Sequence, residues 1–371
     1  MNRFHGVLTV AVLAASVGLT SAAYAQANQG QAQNRGNNQG QGNQGQGNQG
    51  QARLPPALQA AVLTGNPQAV QQAINTLSGG NSQQAANLAG QVVRAAEQML
   101  NTNPQGAVQV AAAAVETVKN TTVQQSSPQQ TESVVTTAAR IFVNPAAQRV
   151  APEAVAQLAT SAVQVAVATG NPTLTANVAN QAVGAAEKIL SVAPAAAIQV
   201  AAAAVQSVKD APVMQGAPQA TMQVVTTAAR IIVQPEAQRV APQTVAAIAA
   251  TSVQVASNPT VYQSAPNSAI TVMANAYAAA TSQAITSAVP TAAATLRSEL
   301  VQASQTPMLN QANPTNPTSI NIILSGQNPD TGQPLANNQA PAQTPTQTPN
   351  TVDTQSALVG NENKTKPGSS T

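Results

Sequence analysis

A unit of 90 residues that occurs twice constrains the fold of this chain more than any other feature. The segment 134–141, Val-Val-Thr-Thr-Ala-Ala-Arg-Ile, returns unchanged at 224–231, and the segment 107–115 returns at 197–205 with one Val→Ile change. A fixed period without insertions indicates a structural unit that was duplicated and stacked. Stacked units usually form a scaffold or a binding surface rather than a catalytic pocket.

Prolines divide the repeated region into shorter intervals. Eight of them form two series with a spacing of 24 residues, separated by Pro172: Pro104, Pro128 and Pro152, then Pro194, Pro218, Pro242, Pro266 and Pro290. Proline is favoured at the first helical position because its missing N–H would have no partner there. Each interval therefore predicts one helix of roughly 15–20 residues, and each unit four helices, as two hairpins of about 45 residues. These hairpins resemble HEAT and armadillo repeats in length alone.

Residues that cap helices precede several of these prolines. Asn66, Asn103 and Asn171 each stand directly before a proline, and an Asn side chain at this position accepts hydrogen bonds from the first free N–H groups of the helix. The sequence Ser127-Pro128-Gln129-Gln130 has the pattern of a capping box, in which the Ser and Gln side chains both satisfy such groups.

The choice between helix and strand depends on the spacing of the apolar residues. Val134-Val135-Thr136-Thr137 is β-branched, which lowers helix propensity. Val134, Ala138, Ile141 and Phe142, however, share one helical face, and the abundant alanine favours helix. We therefore predict an all-α fold, an α-solenoid of either hand made of stacked helical hairpins from the duplicated 90-residue unit.

The first residues have the pattern of an export signal. Arg3 is followed by an apolar stretch from Val7 to Leu19, and Ala23-Tyr24-Ala25 has the small-x-small pattern of a cleavage site. We expect residues 1–25 to be a signal peptide, which resembles a bacterial Sec signal and is removed before Gln26. This predicts a protein of the periplasm, the cell surface or the extracellular space, with no integral membrane segment after cleavage.

The remaining chain divides into three zones by composition. Residues 26–52 are rich in Gln, Asn and Gly, residues 53–305 in Ala, Val and Gln, and residues 306–371 in Pro, Thr, Asn and Gln. We expect the first zone to be disordered. We expect the second to be the helical domain, with units at about 82–171 and 172–261 and further helices to 305. The third zone predicts a disordered tail with a short strand at 319–325, where apolar and polar residues alternate.

The composition argues against several functional classes. The chain has no cysteine, and its one histidine, His5, lies in the predicted signal. It therefore lacks the commonest general base and metal ligand after cleavage, so we predict no enzyme activity, no cofactor and no metal site. The formal charge is +3, or +2 without Arg3, and no block of Lys or Arg is present. We accordingly expect no binding to nucleic acid.

One class of predicted helix carries a charge at a fixed place. Two alanines precede Glu97, Arg140, Glu187 and Arg230, and the sign alternates along the chain. If like helices stack side by side, these four residues form an ion-pair ladder. The alternatives are four separately solvated side chains, because exposed pairs contribute only about 0–1 kcal/mol, or a row that binds a charged ligand.

A second pair of charges recurs at a turn between helices. Arg149 and Arg239 both follow a glutamine within the sequence Ala-Gln-Arg-Val-Ala-Pro. We expect each arginine to cap the preceding helix by hydrogen bonding to its last carbonyl groups. The alternative is a contact with an anion or polymer, repeated along one edge of the array.

These observations together favour a structural function. We expect an exported, non-enzymatic helical-repeat scaffold that binds a protein or an envelope polymer. The alternative is a self-assembling component of the cell surface or biofilm matrix, because Gln/Asn-rich tracts such as 26–51 can associate with each other.

Overall fold

The computed structural model describes residues 54–335, and twenty α-helices occupy them. The helices in chain order are α1 (Pro56–Leu63), α2 (Pro67–Ser78), α3 (Ser82–Met99), α4 (Pro104–Val118), α5 (Thr121–Ser126), α6 (Pro128–Phe142), α7 (Pro145–Val150), α8 (Pro152–Ala168), α9 (Pro172–Ile189), α10 (Pro194–Val208), α11 (Ala211–Gly216), α12 (Pro218–Ile232), α13 (Pro235–Val240), α14 (Pro242–Ala256), α15 (Pro259–Ser264), α16 (Pro266–Thr281), α17 (Gln283–Ala288), α18 (Ala292–Gln305), α19 (Pro307–Ala312) and α20 (Asn316–Leu324). The described part of the chain contains no strand, so the all-α prediction is confirmed. The predicted signal peptide and the segment 26–52 lie outside the described residues.

Each of the 24-residue intervals holds two helices, a long one and a short one. Pro104 begins α4, which has 15 residues, and the six-residue helix α5 follows before Pro128 begins α6. In the shorter interval from Pro152 to Pro172, α8 leads directly into α9. The prediction of four helices per unit is therefore incomplete, since each unit also contains two six-residue helices.

Each short helix buries one apolar residue at its third position. These residues are Val123, Ala147, Val213, Ala237, Val261, Ile285 and Leu309. In five of the seven, the residue after the short helix ends it and also begins the next long helix, as Ala151 does between α7 and α8; α17 and α19 are the exceptions. Ala151 has φ −140° and ψ 58°, an extended φ that fits the restriction on a residue before proline. The proline that follows cannot extend the short helix, because it lacks the N–H that the helix would need.

The Asn caps are present, but the capping box is not. The side chain of Asn66 accepts hydrogen bonds from two backbone N–H groups, and those of Asn103 and Asn171 accept one each. Ser127 makes no such bond. Its backbone ends α5 and begins α6, and this arrangement turns the hydroxyl into the interior, where it has no partner. The capping-box prediction was therefore wrong.

The long helices contact one another in two series. Row A consists of α3, α6, α9, α12, α16 and α20, and row B of α2, α4, α8, α10, α14 and α18. Each helix contacts the next member of its row, and row A also packs against row B, as α3 does against α4 and α9 against α10. The contacting faces are rich in alanine, and Ala107, Ala111 and Ala114 of α4 are completely buried. Such small side chains let helix axes approach toward the short end of the ordinary range of about 8–10 Å.

The folded region extends beyond the predicted boundary at residue 305. Helices α19 and α20 follow it, and α20 packs against α16 and α18. The predicted strand at 319–325 is wrong, since Ile320 and Ile323 are spaced for one helical face and both are fully buried. The prediction of disorder from 306 is wrong as far as residue 335, because Leu309 and Leu335 are also buried.

A buried polar network holds this C-terminal segment in place. The Tyr262 hydroxyl of α15 donates a hydrogen bond of 3.0 Å to Oδ1 of Asn316. The Asn316 Nδ2 group donates to the Ala303 carbonyl at 3.2 Å and to Asn310 Oδ1 at 2.8 Å. The network links α15, α18, α19 and α20, and its two central residues, Tyr262 and Asn316, are fully buried.

We expect alkaline pH to weaken the folded state through Tyr262. Burial raises the pKa of Tyr262 above its ordinary value, so the unfolded state loses its proton first. Tyr262 contributes its full stabilisation below about pH 10, which is the pKa of tyrosine in the unfolded chain. This contribution is lost as the pH rises through the pKa that Tyr262 has in the folded state. Melting temperature measured against pH should fall more steeply in this range for the wild type than for Tyr262→Phe. Equal slopes for the two proteins would contradict this expectation.

Candidate interaction surface

Two arginine–glutamate pairs lie on the exposed face of row A. Arg140 Nε lies 2.6 Å from Glu97 Oε1, and Arg140 Nη2 lies 3.2 Å from Glu97 Oε2. The pair of Arg230 with Glu187 repeats this geometry, at 2.9 Å and 3.1 Å. In both copies the guanidinium also donates to a threonine of its own helix, Thr137 or Thr227. The hydrogen bond to Glu97 and the charge of that carboxylate raise the pKa of Arg140, and burial opposes them in part.

The four charges therefore form two separate pairs rather than one continuous ladder. Within residues 54–335 no ion pair joins Arg140 to Glu187. Each guanidinium donates to both oxygens of one carboxylate, so the strongest donors and acceptors of each pair are already in use. The two pairs join α3 to α6 and α9 to α12, which are the first and second copies of the same contact.

We expect reversal of the Arg140 charge to lower the melting temperature more than reversal of the Lys119 charge. Lys119 makes a longer ion pair of 3.7 Å with Glu116 of the preceding turn, whereas Arg140 joins two helices. The cost of Arg140→Glu should be about 1 kcal/mol, because the arginine is exposed, and it should diminish in high salt. Thermal unfolding of Arg140→Glu and Lys119→Glu tests this. Equal shifts would show that the Arg140 pair contributes no stability of its own.

Glutamine, not arginine, caps the long helices at the repeated turn. Gln148 Nε2 donates to the carbonyl of Phe142 at 3.0 Å, and Gln238 Nε2 donates to that of Ile232 at 3.0 Å. Both glutamines are buried, and each directly follows the buried third residue of a short helix. Arg149 and Arg239 lie on the exposed side of the same helices and make no hydrogen bond within the described part of the chain. The prediction that these arginines are the caps was therefore wrong.

Alanine substitution at this turn should show which of the two neighbouring residues, Gln148 or Arg149, stabilises the fold. Gln148→Ala leaves the buried Phe142 carbonyl without this partner, so we expect a loss of about 1–3 kcal/mol. Arg149→Ala should change the free energy of unfolding by less than about 0.5 kcal/mol, since its side chain is exposed. Urea denaturation of both variants measures the difference. A larger loss of unfolding free energy for Arg149→Ala than for Gln148→Ala would show that the arginine caps the helix.

Amide side chains donate hydrogen bonds between further neighbouring helices. Asn180 of α9 donates to Gln223 of α12 at 3.0 Å, and on row B Gln254 of α14 donates to Glu299 of α18 at 3.0 Å. A shallow groove of about 360 Å³ lies between α12 and the start of α16, and Arg230 is the one charged residue that lines it. Glu187 already holds this arginine. The groove therefore offers amide and hydroxyl groups such as those of Gln219, Thr226 and Ser268.

The described residues contain no arrangement typical of a metal centre. No three His, Cys, Asp or Glu side chains lie together between residues 54 and 335. The predictions that the chain is not an enzyme and needs no cofactor remain predictions. None of the helices in this part of the chain combines the length and the apolar character needed to cross a membrane.

What the geometry offers is a repeated, mainly uncharged polar surface on two rows of helices. Comparison with protein-family models, with curated proteins and with solved structures finds no match for this chain.

Proposed function

We propose that this chain is an exported, non-enzymatic scaffold, an α-solenoid of stacked helical hairpins that binds a protein or an envelope polymer. The observation that carries the proposal is the stepwise contact pattern, in which each long helix packs against the next member of its row. An array of this kind presents the same surface repeatedly, and such surfaces are typical of binding proteins.

The chemistry of the surface favours binding over catalysis. The repeat region carries Gln, Asn, Thr and Ser on its exposed faces, and these side chains donate and accept hydrogen bonds without changing protonation near neutral pH. The charges of row A are largely used in pairs between helices. A partner would therefore be held by many weak polar contacts along the array rather than by one deep pocket.

The export half of the proposal depends on the first 25 residues, which have the charge, apolar stretch and small residues of a cleaved signal. The exported fraction of the native host should contain a chain that begins at Gln26. Mass spectrometry of its N-terminal peptide checks this, and an uncleaved chain in the cytoplasm would contradict export.

Removal of one whole period tests the solenoid. Deletion of 128–217, which is 90 residues, joins Ser127 to Pro218 and replaces α6 by its second copy α12. Because a solenoid depends on contacts between neighbours, the shortened protein should remain helical and unfold cooperatively. The control deletion of 113–182 joins the first part of α4, a row B helix, to the last part of α9, a row A helix. It breaks the alternation of the rows and should unfold the region. Loss of structure in both variants would contradict a solenoid.

The alternative function is self-assembly at the cell surface, and the composition of residues 26–51 supports it. Light scattering at increasing protein concentration, with and without these residues, compares the two functions. Assembly that requires the arm would favour the alternative, whereas a soluble species in both cases would favour the scaffold.

A further inference from the structure

The long helices of row B present equivalent positions to solvent. In α4, α8, α10, α14 and α18, the exposed or half-buried residues include those that stand 5, 8 and 12 places after Pro104, Pro152, Pro194, Pro242 and Pro290. We call these three rows of residues the row B face. The row at 12 places consists almost wholly of glutamine: Glu116, Gln164, Gln206, Gln254 and Gln302. The row at 5 places is glutamine in α4, α8 and α10, and the row at 8 places is Ala, Thr or Ser in all five helices.

Long amide side chains therefore border a band of short ones on this face. The two outer rows are seven residues apart along each helix, which is about 10 Å, and neighbouring helices of the row follow at about 8–10 Å. Because the middle row holds no side chain larger than threonine, an extended chain can lie along it, across successive helices. Glu116 is the one charged residue of the face, so a chain that binds there needs no charge of its own.

The amide groups of the row B face have unused hydrogen-bonding capacity. Gln206 joins two neighbouring helices, because its Nε2 donates to Thr251 Oγ1 at 3.3 Å. Gln157, Gln199 and Gln302 are exposed and make no side-chain hydrogen bond within the described part of the chain. Each such amide can donate and accept hydrogen bonds. A polypeptide presents the same two kinds of group, in its backbone and in Asn and Gln side chains.

The chemistry of this face favours an uncharged polypeptide over a nucleic acid or another anionic polymer. Bases stack on aromatic rings, but Phe142, Tyr262 and Tyr277, the aromatic residues of the described part of the chain, are buried. Phosphate groups are held by rows of cations, and the row B face contains no Lys or Arg. Its partner should therefore be an extended chain that is rich in amide groups.

We propose that the Gln/Asn/Gly-rich arm, residues 26–51, lies extended along the row B face of its own molecule. The arm leads through Leu54 into α1, which packs against α2, the first helix of row B. Residues 26–53 can span about 90 Å at about 3.3 Å for each residue. The five steps from α2 to α18 cover about 45 Å at about 9 Å for each step. The arm is therefore long enough to follow the whole face from the end at which it enters.

The composition of the arm complements this face. Apart from Arg35, the arm consists of Gln, Asn, Gly and Ala. Its amides can pair with the glutamine rows, and its glycines let the backbone approach the short side chains between them. Row A instead carries arginine–glutamate pairs on its exposed face, and an uncharged arm would desolvate these charges without replacing their bonds to water.

The tether makes weak contacts sufficient. Because the arm is joined to the array beside the face, its effective concentration there is on the order of millimolar. The inference is independent of export and of any external partner, since it needs only the arm and the described helices. A partner that binds the row B face must first displace the arm.

Distances between two spin labels test the position of the arm in the purified chain that begins at Gln26. The chain contains no cysteine, so Asn43→Cys and Ala247→Cys place one label in the arm and one on α14. Asn43 precedes Leu54 by 11 residues, about 36 Å when extended, which matches the four steps from α2 to α14. We expect a narrow distribution of short distances. The control pair, Asn43→Cys and Asn267→Cys on the neighbouring row A helix α16, should give longer and broader distances.

Two results of this experiment would overturn the proposal. Equal, broad distributions for the two pairs would describe an arm that moves freely. Dilution of the labelled chain with unlabelled chain should leave the short distance unchanged, because both labels are in one molecule. A short distance that disappears on dilution would place the arm on a second copy instead.

Removal of two amides tests whether the row B face holds the arm. Gln157→Ala combined with Gln199→Ala should lengthen and broaden the distance between labels at 43 and 247, because the arm loses two hydrogen-bonding partners. Asn177→Ala combined with Gln181→Ala, at exposed positions of row A helix α9, is the matched control and should leave this distance unchanged. All four positions are exposed, so circular dichroism should show that each variant is folded. An unchanged distance in the first variant, or equal changes in both, would exclude the row B face as the binding site of the arm.

Discussion

Replacement of Phe142 by alanine should lower the free energy of unfolding by about 3–5 kcal/mol, one of the two largest effects that we expect from a change in this protein. Phe142 lies at the end of α6 and is completely buried. The alanine leaves a cavity between helices whose other side chains are small and cannot move to fill it. Chemical denaturation followed by circular dichroism measures the loss.

The second copy of the unit supplies the control for this substitution. Ile232 occupies the position of Phe142 in α12 and is also fully buried. Phe142→Ile should therefore cost less than about 1.5 kcal/mol, since it keeps most of the apolar volume. If the isoleucine variant were as unstable as the alanine variant, the two copies would not share one packing arrangement.

Truncation after Gln305 should have the other large effect. It removes α19 and α20, and with them the fully buried side chains of Leu309, Ile320 and Ile323. Burial contributes about 1.5–3 kcal/mol for each, and the entropy of ordering the segment offsets part of this, so we expect a net loss of about 2–5 kcal/mol. Hydrogen exchange should show the loss first in α16 and α18, which α20 covers.

Truncation after Leu335 is the matched control for this experiment. It leaves every described helix in place, and we expect the wild-type melting temperature. Equal stability of both truncated chains would mean that α19 and α20 contribute nothing to the folded domain.

The sequence predicted the helical fold well because its two strongest signals act locally. Proline at the first helical position and apolar residues on one helical face, such as Val134 and Ala138, depend on a few neighbouring residues only. The six-residue helices were missed because they are too short to show a periodic pattern. Their one signal is an apolar third residue such as Val123 or Val261, after a residue that can cap a helix.

The predictions for the candidate surface were wrong where they depended on which side chain is buried, because a single sequence does not show burial directly. Arg149 is the more obvious cap by charge, but the neighbouring Gln148 is the residue that points inward. The spacing of Glu97 and Arg140 predicted that like helices would meet. It did not show that each guanidinium would be satisfied by one carboxylate. Ile320 and Ile323 were spaced for a helix, but the alternating residues around them obscured this.

The residues that both end one helix and begin the next have a consequence for how the domain melts. At Ser127 and Ala151 a single residue serves two helices, so neither helix can fray without loosening the other. Opening of one helix end therefore also opens the helix that shares this residue. On heating, a short helix and the long helix that shares its end residue should therefore unfold together, with few states in which only one of the two is frayed.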